Sequence, residues 1–103
     1  MAFLNSTTPL AGNGTVTLGP VNTQLSDRIV GSVFADVAGT LYIEQSFDGT
    51  NFDISTSISV PANDGTGFSE ELVAPNVRLR YVNGAAAQTA FRVYARFSSS
   101  GAR

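Results

Sequence analysis

The chain reads as all-β: an antiparallel β-sandwich or jelly-roll-like barrel of six to seven strands. Three observations predict it. No extended segment repeats its apolar side chains with the 3.6-residue period of a helix. Several segments instead alternate apolar and polar residues with the period of two that a half-buried strand requires. Turn-forming Gly, Pro, Asn and Asp recur at roughly the 8-to-12-residue spacing of chains that fold strand after strand.

Residues 1–13, MAFLNSTTPLAGN, are broken by Pro9 and Gly12 and have no sustained period. They read as an extended N-terminal arm with Phe3 and Leu4 as its large apolar anchors, tucked against their own domain or docked on a neighbouring subunit. The sandwich domain is expected over residues 14–97. Residues 14–21 set Val16 and Leu18 against Thr15 and Thr17 and stop at Gly19-Pro20, which suits a short edge strand. Residues 28–37 are nearly all apolar, with Ile29, Val33, Ala35 and Val37 on one face and Val30 and Phe34 on the other. A strand covered on both sides, or one at a subunit contact, has that pattern.

Residues 40–47 place Leu41, Ile43 and Phe47 inward and Thr40, Glu44 and Ser46 outward, with Tyr42 interrupting the polar face. Asp48-Gly49 and Thr50-Asn51 then make a hairpin loop, since Asp and Gly tolerate the positive φ of such turns. In the returning strand Phe52, Ile54, Thr56, Ile58 and Val60 alternate with Asp53, Ser55, Ser57 and Ser59. PANDGTG, residues 61–67, is a flexible loop. Residues 68–73 and 77–82 are expected to pair as a hairpin around Ala74-Pro75-Asn76, which would set Glu71 near Arg78. After a loop at 83–87 with at most one helical turn, residues 88–97 close the domain. They point Phe91, Val93, Ala95 and Phe97 inward and Arg92, Tyr94 and Arg96 outward. Residues 98–103 form a flexible tail.

Composition narrows the function. At 103 residues the chain suffices for one core without staples. It has neither cysteine nor histidine. The common nucleophile-base pairs and nearly all zinc, copper and haem sites are thereby removed, so no enzyme activity, metal or cofactor is expected. The carboxylates that remain are Asp48, Asp53 and Asp64 in loops and Glu44, Glu70 and Glu71 on strands; a glycosidase would need a deep cleft between two of them. Asp48, Asn51 and Asp53 are oxygen ligands close in sequence, as calcium uses, but turn chemistry explains them equally. The formal charge is −2 and only 14% of residues are charged, which argues against a general electrostatic grip on nucleic acid. No apolar run has membrane-spanning length, and no basic region precedes MAFL, so neither a membrane span nor a signal peptide is expected.

All cationic side chains are arginines. If the strands at 77–82 and 88–97 are neighbours, Arg78, Arg80, Arg92 and Arg96 form one stripe flanked by Tyr94. That stripe is a solvated face with scattered salt bridges or a protein interface, where Arg and Tyr are enriched and Lys depleted; a third reading, binding of single-stranded nucleic acid, would need more net positive charge and more exposed rings than the chain has.

The segment EQSFDGTNFD resembles the QS-x-DG-x-N-W/F hairpin of small β-sandwich virion proteins of tailed bacteriophages, and VRLRYVNGAAAQTAFRVYARF resembles the strands that follow it there. The residues that carry the resemblance are Gln45, Ser46, Asp48, Gly49, Asn51, Phe52, Arg78, Tyr81, Asn83 and Arg92, with Phe52 where tryptophan is usual. The resemblance implies a non-enzymatic virion component of capsid-decoration, head-fibre or tail-accessory type. Capsid decoration (cement) on the outer surface is the form expected, as a homo-oligomer with a trimer favoured. Its partner would be the major capsid protein or another virion protein, and it would be assembled in the host cytoplasm. The interface residues expected are Phe3, Leu4, Arg78, Arg80, Arg92, Tyr94 and Arg96. The alternatives are a tail or baseplate accessory domain and a carbohydrate-binding module, for which Phe52, Phe68, Tyr42, Tyr81 and Tyr94 would have to supply the aromatic platform.

Overall fold

The computed structural model describes residues 3–22 and 27–98. These residues form eight strands and no α-helix: β1 (Phe3–Ser6), β2 (Thr15–Asn22), β3 (Arg28–Ala35), β4 (Gly39–Ser46), β5 (Ile54–Val60), β6 (Thr66–Glu71), β7 (Asn76–Asn83) and β8 (Phe91–Ser98). They pair antiparallel throughout, in two four-stranded sheets ordered β1-β8-β3-β6 and β2-β7-β4-β5. The protein is an all-β sandwich.

Alternation decides which side chains fill the space between the sheets. β7 buries Val77, Leu79 and Tyr81 while Arg78 and Arg80 stay outside, and β8 buries Phe91, Val93, Ala95 and Phe97 while Arg92, Tyr94 and Arg96 stay outside. Ile29, Val33 and Ala35 of β3 and Leu41 and Ile43 of β4 complete the centre. Each fully buried side chain of this size contributes roughly 1.5–3 kcal/mol. Tyr81 and Phe91, from opposite sheets, meet with ring centroids 5.0 Å apart. Two glycines make room for rings: a Cβ on Gly31 would run into the Tyr94 carbonyl oxygen and lie 2.7 Å from the Phe68 ring, and one on Gly39 would meet the Tyr81 ring at 2.7 Å.

Several expectations are corrected. Within the segment read as an arm, β1 is an edge strand on β8, and Leu4, opposite Ala95, takes the first of its two expected placements, buried in its own domain's core. Residues 68–73 and 77–82 do not pair. β6 belongs to the sheet with β3, and β7 lies between β2 and β4 in the other. The Pro75 turn carries the chain between layers, a crossing that local pattern does not distinguish from a hairpin. Glu71 therefore lies opposite Arg28, and Arg78 opposite Glu44. Phe47 does not point inward. β4 ends at Ser46, and the inward position after Ile43 is taken by Gln45, leaving Phe47 69% exposed. The last strand starts at Phe91, while Gln88 is a buried loop residue. Of the expected tail, Ser98 ends β8 and residues 99–103 lie outside the described residues.

Candidate interaction surface

The four strand arginines and Tyr94 are not one stripe. β7 and β8 lie in different sheets, so the outward residues of each strand face opposite sides of the sandwich.

On the outer face of β2-β7-β4-β5, Arg78 and Arg80 close on Glu44. Arg78 Nε donates to Oε1 at 2.7 Å, and Arg80 Nη2 donates to Oε2 at 3.0 Å. Arg78 also stacks on Phe52 and Arg80 on Tyr42, at 4.0 and 4.2 Å from the ring centroids. Burial pushes the Glu44 carboxyl up, but the hydrogen bonds and charges of Arg80 and Arg78 outweigh it and hold its pKa below the usual carboxylate value. The single carboxylate is fully engaged here, while the two arginines keep one net positive charge and are held in place by their rings.

The outer face of β1-β8-β3-β6 is different. Its register sets Asn5, Tyr94, Ser32 and Gly67 in one row across the sheet, and Arg96, Val30 and Ser69 in the next. Gly67 has no side chain to fill its position, and a Cβ there would find only the Gly31 carbonyl, at 3.9 Å. The result is an open hollow of about 700 Å³ lined chiefly by Val30, Ser32, Gly67, Ser69, Tyr94 and Arg96. Tyr94 is 48% exposed beside it. Arg28 donates to Ser69 Oγ at 2.7 Å, and Arg92 lies over the Phe34 ring at 4.5 Å. Arg92 and Arg96 are exposed, and among the described residues neither forms a salt bridge. This face thus combines a half-exposed ring, an apolar floor and two exposed guanidinium groups.

The rings proposed for sugar binding are mostly taken. Phe68 and Tyr81 are buried, and Tyr42 and Phe52 lie under arginines, which leaves Tyr94 as the open ring of the five. Arg78 and Arg80 are committed to Glu44, and Leu4 to the core. Phe3 stands opposite Arg96 in the ladder.

The β4–β5 loop is ordered by its own carboxylate. Asp48 Oδ1 accepts from the Asn51 and Thr50 amides at 2.7 and 2.8 Å and from Ser46 Oγ at 2.9 Å, and Oδ2 accepts from Asn51 Nδ2 at 2.8 Å. These bonds, the Asn51 amide first, hold its carboxyl far below the ordinary range. No three carboxylates converge among the described residues. Asp36 plays a similar part at the other end of the molecule, where the Thr89 side chain and the Ala90 amide lower its pKa.

Three buried amides hold the loops. Gln45 Oε1 accepts from the Val73 and Ala74 amides while Nε2 donates to the Glu71 carbonyl, pinning the crossing between sheets. Asn83 Nδ2 donates to the Ala11 and Ala86 carbonyls, and Gln88 Oε1 accepts from the Leu10 amide, fastening the segment after β1. A polar residue at an inward position, as Gln45 is after Leu41 and Ile43, is the signal that could have identified such a pin. Nothing in the local pattern marked Gly67 as the floor of a hollow, because that depends on which strands lie beside it.

A model of the family described as "Uncharacterised protein YqxG N-terminal domain" matches residues 1–98. No curated protein matches the sequence. Among solved structures, PBSX exported protein XepA superposes over 99% of this chain with a TM-score of 0.84 at 23% identity, and this chain spans 38% of XepA's length. A Bacillus endospore appendage protein, from a family of disulfide-linked pili, gives a TM-score of 0.56 at 16% identity over 95% of this chain and 89% of its own. A CBM4 structure gives 0.54 at 16% identity over 91% and 70%. At these identities the likeness is one of fold.

Proposed function

The chain belongs to the YqxG N-terminal domain family, and from that premise we propose that it is a non-enzymatic structural component of a phage-type particle, working through the outer face of its β1-β8-β3-β6 sheet. The observation that carries this reading is the exposed arginines Arg92 and Arg96, neither in a salt bridge among the described residues, on either side of half-exposed Tyr94, with Arg96 lining the hollow. In its specific form the protein is a capsid decoration protein, bound to the major capsid protein as an oligomer. A tail or baseplate accessory role would use the same face on a different surface of the particle. The QSFDGTNF hairpin supports a virion role, and the fold likeness to an exported protein is compatible with a particle or an extracellular location.

The test is co-sedimentation with purified capsids. The wild-type chain pellets with them, and Arg92→Glu/Arg96→Glu stays in the supernatant with an unchanged melting temperature. Equal pelleting of the two would remove this face from the interaction; no pelleting of either would remove capsid decoration.

A carbohydrate-binding module is the second reading, favoured by the hollow with its Ser32 and Ser69 hydroxyls beside Tyr94 and by the fold likeness to CBM4. It has one open ring where stacking on a sugar chain commonly needs several. A glycan array with hits that Tyr94→Ala abolishes would promote it over the first.

A further inference from the structure

We propose that the hollow receives the Phe47 end of a second copy of this chain, so that copies join head to tail. The inference rests on reading the β1-β8-β3-β6 face as a protein interface and names its occupant. Phe47 is 69% exposed, and Val73, 55% exposed, is at the same end of the sandwich, because Gln45 binds the Val73 amide two residues before Phe47. Single exposed apolar residues are ordinary, but two at one tip form the start of a patch. Exposed Asp48 and Asp53 flank Phe47. The tip is therefore apolar at its centre and negative around it. The hollow is the reverse, with Val30 on its apolar floor, Tyr94 at its rim and Arg96 in its lining, and with Arg92 two residues along the same strand face beyond Tyr94.

The hollow is shallow and open on one side, so a phenylalanine ring with a neighbouring valine can lie in it without a channel to pass through. The tip is held in shape before any contact, because Ser46, Asp48 and Asn51 close its turn with their own hydrogen bonds. Little ordering cost then opposes docking. Tip and hollow are different surfaces of the same molecule, so the contact is heterologous. It closes into a ring, such as the threefold arrangement expected from the virion resemblance, or extends as a filament.

The experiment is light scattering on the full chain over a rising concentration series, with two variants that damage opposite halves. Phe47→Ser removes the tip, and Gly67→Trp fills the hollow at a position with open space for a side chain. Arg96→Glu is the second hollow variant should the indole disturb the fold, and thermal melting establishes that each variant is folded. The wild-type chain is expected to exceed monomer mass, and each variant to weaken association by about tenfold or more, the scale of a truncated interface anchor. Mixed one to one, the variants should form a dimer and stop, because Phe47→Ser retains its hollow and Gly67→Trp its tip. A wild-type chain that is monomeric at every concentration, variants that assemble normally, or a mixture that stays monomeric would each overturn the proposal. If the wild type is monomeric yet Gly67→Trp loses capsid binding, the face is an interface for another protein and only the second copy is removed as its occupant.

Discussion

Arg78 and Glu44 stand directly opposite each other in the β4–β7 ladder, and the guanidinium Nε lies 2.7 Å from the carboxylate. The pair is nearly closed to water on the acid side, and Arg80 occupies the other carboxylate oxygen. Glu44→Gln keeps the shape but leaves two stacked cations without their counter-charge. A loss of about 1–3 kcal/mol is expected, below the figure for a fully buried pair because both arginines retain partial exposure. Urea denaturation measures it, and an unchanged midpoint would make the cluster ornamental.

The same carboxylate gives a pH dependence of definite sign. The folded pKa of Glu44 is lowered, so its contribution is complete at neutral pH and is lost as pH falls through the unfolded and then the folded value, from about pH 5 downward. Asp48, lowered further by its turn bonds, adds a loss in the same direction at more acid pH. Stability should therefore fall on acidification, and the Glu44→Gln chain should lose less of it between neutrality and mild acid than the wild type. Parallel curves for the two chains would contradict the assignment.

Gln45 is 1% exposed and makes three hydrogen bonds to the chain as it crosses between sheets. Gln45→Leu strands the Val73 and Ala74 amides and the Glu71 carbonyl. A cost of about 1–3 kcal/mol is expected, with hydrogen exchange accelerating first at Val73 and Ala74. Uniform acceleration across the domain would indicate a general packing defect instead.

Gly31 and Gly67 lie one position out of step on paired strands β3 and β6, and their tolerance should differ sharply. Alanine at Gly31 forces a methyl group into the Tyr94 carbonyl and the Phe68 ring and should cost about 1–3 kcal/mol or more. Alanine at Gly67 enters open space and should stay within about 0.5 kcal/mol of the wild type. Equal melting temperatures for the two variants would mean that the close packing at Gly31 is relieved cheaply.

Asp48→Ala removes the acceptor for four hydrogen bonds in the β4–β5 turn. A lower melting temperature and faster exchange of the Thr50 and Asn51 amides are expected. If calcium at millimolar concentration raises the wild-type melting temperature and not that of the variant, the loop is an ion site as well as a turn.

The sequence by itself determined the elements. Strand alternation is local, so the inward and outward sets of β5, β7 and β8 could be read directly from Ile54 to Val60, Val77 to Val82 and Phe91 to Phe97. The Asp48-Gly49 turn was equally legible, because its hydrogen bonds join residues no more than three apart. What only the tertiary structure decided was which strands are neighbours. Pairing is a contest between whole edges, and a Pro75 turn serves a hairpin or a crossing between layers equally well. That choice separates Arg78 and Arg80 from Arg92 and Arg96, gives the first two to Glu44, and leaves the other two on the opposite face, Arg92 over Phe34 and Arg96 at a hollow whose floor is Gly67. Four arginines identical in local pattern thus become two that share a buried carboxylate and two on an open surface, because electrostatic partners are set by distance across the fold and not along the chain.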